Sequence, residues 1–121
     1  MKFKKLFEKD DFVAKAEKEV IDAVKKNKDT IYKNALTLMS NLQKSCGNNV
    51  KEYISYLYNN DAIYDVFDGL NIMRQYDDIV YEIEDKTFHD ILNGSIIDAA
   101  KKLGIDKSVI SALEKIKKHG L

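Results

Sequence analysis

No proline occurs anywhere in these 121 residues, and glycine occurs only five times. Those two residues end or kink helices and build the tight turns of an all-β chain, so a sequence nearly free of them is steered toward helices with few breaks. The apolar residues agree. Within Asp11 to Lys26, the residues Phe12, Val13, Ala16, Val20, Ile21, Ala23 and Val24 recur at steps of three and four. That period places them on one face of a helix, with Asp10 or Asp11 as its cap. Asn27, Lys28 and Asp29 interrupt the pattern, and Ile31, Ala35, Leu38, Met39 and Leu42 resume it as far as Ser45-Cys46-Gly47, where glycine supplies a positive-φ stop. So short an interruption predicts a second helix antiparallel to the first.

Asn48 or Asn49 can cap a third helix carrying Val50, Tyr53, Ile54, Leu57 and Tyr58. A fourth is expected over 62 to 76, from Ile63, Val66, Phe67, Leu70 and Met73, with Gly69 as a kink or break. Ile79-Val80-Tyr81-Glu82-Ile83 suits either a short strand or a helix with Val80 and Ile83 inward, and helix is preferred here. Thr87-x-x-Asp90 and Ser95-x-x-Asp98 each set a hydroxyl three residues before a carboxylate, announcing two further helix starts separated by Asn93-Gly94. The expectation is one all-α domain over 1–121, a compact bundle of about six short-to-medium helices.

Apolar residues make up 45% of the chain and charged residues 33%, a balance suited to a folded core rather than to disorder. Cys46 is the only cysteine, so no internal disulfide forms, and no Cys/His set offers zinc its four ligands. The opening Met-Lys-Phe-Lys-Lys-Leu-Phe-Glu is basic, but no apolar run follows it, which points to a chain without a membrane span, working in the cytoplasm. Formal charge is zero overall yet unevenly placed. Residues 1–58 hold twelve Lys against eight acids, 59–98 hold two basic residues against ten acids, and 99–121 hold six Lys against two acids. A basic end of that kind attracts phosphate, although the acidic middle weakens its field.

Within that basic end, Ala100, Gly104 and Ile110 stand at a small, a glycine and an aliphatic position, with Leu103, Ile105 and Leu113 as apolar partners. This pattern resembles the helix-turn-helix of bacterial and phage DNA-binding proteins. The resemblance covers about the last fifth of the chain within a unit of approximately 87–119, in which Thr87 to Asn93 would form the preceding helix. It implies that Lys107, Ser108, Ser111, Ala112 and Lys115 face the major groove, that Lys101, Lys102, Lys117 and Lys118 lie near phosphates, and that Asp106 caps the second helix. Double-stranded DNA would be the partner, and the bearer a regulatory protein of a phage, plasmid or similar element. Arg, Asn and Gln, which read base edges with two hydrogen bonds, are missing from that face, so a homodimer or shape readout would have to add specificity. The plainer alternative is a helical hairpin whose glycine is a C-cap and whose lysines form a solvated end that suits the helix dipole.

A second class of function competes. Tyr53, Tyr56, Tyr58 and Tyr64 fall within twelve residues, and Asp61, Asp65, Asp68, Asp77 and Asp78 surround or follow them. Tyrosine is enriched at interfaces, so Tyr56, Tyr64 and those acids could serve a helical protein–protein module of the immunity or inhibitor type. Nothing points to an enzyme or a cofactor: neither His89 nor His119 has a second ligand at metal spacing, the acids at 61, 65 and 68 lack the calcium-loop glutamate, and Cys46 has no activating neighbour.

Overall fold

The computed structural model describes residues 2–58, 61–70 and 83–119, and among them the chain is all-α, with six helices and no strand. In chain order these are α1 (Lys2–Lys26), α2 (Lys28–Cys46), α3 (Val50–Leu57), α4 (Asp61–Val66), α5 (Lys86–Leu103) and α6 (Lys107–His119).

Helix α1 begins well before the expected cap. Asp10 and Asp11 lie inside it, because Lys2 to Lys9 contains no breaker and two acids without a following turn residue do not stop a helix. Its inward face is Ala16, Val20 and Val24, whereas Phe12 is 61% exposed and not on the core side. Between α1 and α2 stands Asn27 alone. Its N–H still bonds Ala23 O at 3.1 Å, and its own carbonyl accepts from Ile31 N–H at 2.9 Å, so helical bonding runs up to this residue and restarts at it. One residue leaves no room for the chain to reverse, and the expected antiparallel pair is instead a bend. Helix α1 packs on α5 as well as α2.

Helix α2 buries the five residues its period singles out, Ile31, Ala35, Leu38, Met39 and Leu42, and ends at Gly47 with φ 58°. The Asn49 side chain then accepts from Glu52 N–H at 3.3 Å to start α3. Tyr53, fully buried on α3, sends its hydroxyl back to Gly47 O at 2.9 Å, tying the helix to the turn that precedes it. Helix α4 stops at Val66, earlier than expected, and the chain turns through Gly69 at φ 86°. The turn is fixed from α2, where Asn34 Nδ2 donates to Val66 O at 3.0 Å and Asp68 O at 2.9 Å. Most of the Ile79–Ile83 segment lies outside the described residues; Ile83 itself is buried and in neither helix nor strand.

Helix α5 is the centre of the bundle. It lies most extensively along α2 and also touches α1 and α6. Contrary to the two expected starts at Thr87 and Ser95, it is one helix: Asp85 caps it by accepting Phe88 N–H at 3.2 Å, and it continues through Asn93, Gly94 and Ser95. The carboxylate two residues upstream of Thr87 satisfies the free N–H first, and Phe88, Leu92, Ile96, Ile97, Ala99 and Ala100 supply a continuous buried face across the glycine. One apolar core draws on all six helices.

Gly94 therefore sits in mid-helix without a positive φ to require it. A Cβ there would meet only Lys117 Nζ, at 3.7 Å, an ordinary contact. Gly94→Ala is expected to stabilise the fold by about 0.5–1 kcal/mol through the unfolded chain's lost freedom. Urea unfolding should show a higher midpoint with unchanged slope; a lower midpoint would contradict this account.

Candidate nucleic-acid interface

The junction between α5 and α6 is built as its residues demand. Gly104 takes the left-handed conformation, φ 67° and ψ 35°, and its N–H bonds Lys101 O at 3.2 Å, while Ile105 N–H reaches Ala100 O at 3.0 Å. These two bonds close α5 as a Schellman turn, and Ile105, 3% exposed, plugs it. Asp106 starts α6: its Oδ1 accepts both the Ser108 N–H, at 2.9 Å, and the Ser108 hydroxyl. The hydroxyl bond first and the backbone bond second hold the Asp106 carboxyl below its usual range, so a fixed negative charge stands at the entry to α6.

Ala100 is fully buried at the crossing, as its size requires, and Leu113 is buried from the α6 side. The aliphatic contact is shared differently from the motif's pattern. Val109 is fully buried and Ile110 only half-buried. Val109 stands four residues after Ile105 and four before Leu113, so the α6 period itself carried that signal.

Beyond the turn, α6 stays beside α5. Lys101 Nζ meets Glu114 at 3.3 Å, and Lys117 Nζ lies against Gly94, which is about 15 Å of helix before the turn. The pair has the turn chemistry of the motif, with α6 packed along α5. Residues 87–93 are the first half of α5 rather than a separate preceding helix.

The outer face of α6 is solvent-facing. Lys107, Ser108, Ser111, Lys115 and Lys118 are all exposed, and Lys107, Ser111, Lys115 and Lys118 follow one another at successive turns. Glu114, the one acid within this helix, is engaged by Lys101. Two of the sequence-selected residues stand elsewhere. Ala112 is half-buried and does not project, and Lys102 lines a groove against α2 with Thr37, Ser40 and Asn41.

The Tyr-rich surface is partly assembled. Tyr56 donates its hydroxyl to Asp65 at 2.6 Å, Tyr64 beside it is 45% exposed, and Asp65 and Asp68 are exposed. The side chain of Asp61, and Asp77 and Asp78 entirely, lie outside the described residues. Tyr53 is core, and Tyr58 donates to Asn93 Oδ1 at 3.1 Å across the α3–α5 contact; burial pushes its phenol up to about 12. His89 is a surface residue whose Nε2 lies 2.6 Å from Ile83 O and whose ring meets Phe88 edge-on. No group of three or more metal-ligating side chains occurs among the described residues, and no helix there is long and apolar enough to cross a membrane.

The chain matches no family model, and no curated protein or solved structure is similar to it.

Proposed function

We propose that this is a small non-catalytic regulatory accessory protein of the cell interior, of the kind found in phage, plasmids and similar elements, which binds duplex DNA through the outer face of α6. The observation that carries this reading is the exposed line Lys107, Ser111, Lys115 and Lys118, with Glu114 neutralised by Lys101. The three lysines on that line, which make no ion pair among the described residues, contact phosphates, and the serine hydroxyls donate beside them. With no Arg, Asn or Gln on the line, the contact is chiefly electrostatic and weakly selective for base sequence.

Duplex binding followed by fluorescence anisotropy tests it. Three phosphate contacts give a slope of about −3 in log affinity against log salt, which is roughly a fortyfold loss between 50 and 200 mM. Absence of binding at low salt would reject the reading. The alternative, capture of a basic protein partner, is supported by the exposed Tyr64 beside the Tyr56–Asp65 hydrogen bond. It expects no duplex binding, and loss of the partner in Asp65→Asn and Tyr64→Ala.

A further inference from the structure

Resting on the reading of α6 as a DNA-facing helix, we infer that the groove between α5 and α6 is a seat for a phosphate group, held by the Asn93 side-chain amide and the Lys117 and Lys118 ammonium groups. The groove is open and measures about 690 Å³, ample for a phosphodiester with its flanking sugars. Its α5 wall carries Asn93 and Gly94, and its α6 wall carries Lys117 and Lys118.

Asn93 is oriented from behind. The Tyr58 hydroxyl occupies its Oδ1, which turns the NH2 end away from Tyr58 toward the groove the residue lines, and that NH2 has no hydrogen-bond acceptor among the described residues. A planar amide fixed at its carbonyl end offers two donors in a set direction. The same Tyr58 phenol stays protonated at neutral pH, so the orienting bond persists.

The lysines stand across the groove from it. The Lys117 ammonium comes down onto α5 beside Gly94, and neither Lys117 nor Lys118 makes an ion pair within 4.0 Å among the described residues. Of the three carboxylates along the groove, Glu114 is held by Lys101 at 3.3 Å and Asp90 by Lys86 at 2.8 Å. Asp90 also lies in the field of Lys117, and Asp98 lines the same groove, so an incoming phosphate competes with these two carboxylates for the Lys117 and Lys118 ammonium groups. A phosphate spreads its charge and acceptors over several oxygens, so it meets a fixed amide and an ammonium in separate directions, whereas chloride offers both a single small centre. The groove adjoins Lys118 on the outer line of α6, so the expected source is a backbone phosphate rather than a free one.

The experiment uses the full chain labelled with ¹⁵N and titrated with inorganic phosphate against chloride at constant ionic strength. A saturable shift of the Asn93 side-chain NH2 signals, weakened about tenfold or more in Lys117→Gln and in Asn93→Asp, is expected; shifts no larger than those with chloride would overturn the seat. Asn93→Asp keeps an acceptor for Tyr58 while removing the donors, and the exposed Lys117→Gln keeps the test open if that variant fails to fold. In the second arm, both variants should weaken duplex binding roughly three- to tenfold while Lys15→Gln, remote on α1, changes nothing. Duplex binding intact in both variants would overturn the seat as a site for a backbone phosphate and leave the α6 reading standing. Saturable phosphate binding without duplex binding would uphold the seat, assign it to a free phosphate compound, and reject the DNA reading.

Discussion

Phe88→Ala is expected to destabilise the protein by about 3–5 kcal/mol, a large share of the 5–15 kcal/mol that holds a typical domain folded. Phe88 is fully buried in the first turn of α5, with its ring centroid 5.3 Å from that of Phe67 just beyond α4. It therefore joins the turn after α4 to the central helix within the core. Truncation leaves a cavity bounded by helix backbone on the α5 side, which cannot relax inward without moving the helix against α2. The N-cap survives, since the residue contributes only its backbone N–H to Asp85, so the loss isolates packing from capping. Thermal unfolding should fall by roughly 10–20 °C, and Phe88→Leu, which refills most of the volume, by less than half as much. A loss below about 1.5 kcal/mol would mean that the neighbours collapse into the space and that Phe88 is not central.

Why some of this was legible and some not follows from where each signal lies. The α2 core face could be read from its period and its stop, because five apolar residues at helical spacing end at a glycine that takes a positive φ. The turn after Leu103 was equally local: a glycine, a buried Ile105 and a capping Asp106 lie within three residues. The errors arose where a local preference met tertiary packing. Thr87 and Ser95 have the form of caps, yet Asp85 caps first, and the buried Leu92, Ile96 and Ile97 carry the helix past a glycine whose cost is only about 1 kcal/mol. Asn93 looked like part of a break; its hydrogen bond to Tyr58, 35 residues earlier, depends on how α3 meets α5, and no pattern within a helix contains it. An antiparallel reversal at Asn27 is excluded for a related reason, since the sequence shows an interruption but not the helical bonds that Ala23 and Ile31 keep on either side.

Reversing the charge of Lys107, Lys115 and Lys118 together should abolish duplex binding, with affinity falling at least a hundredfold at low salt, because three attractive phosphate contacts become three repulsive ones. The fold should survive, since all three side chains are exposed and the buried face of α6 is made of Val109 and Leu113. Some stability is lost nonetheless. Lys115 and Lys118 lie toward the C-terminal end of α6, where positive charge suits the helix dipole, and placing glutamate there costs about 1–2 kcal/mol in sum. The matching Gln triple separates the two effects. It removes three contacts with a smaller dipole cost, so it should lose most of the salt dependence, the slope falling to about −1 from the remaining Lys117 contact, while melting close to the parent. If the Glu variant stops binding but the Gln triple still binds with a slope of about −3, the lost binding comes from repulsion or unfolding, and the lysines make no contact. If both lose binding and both retain their helical circular dichroism, the outer face of α6 is the surface on which DNA is held.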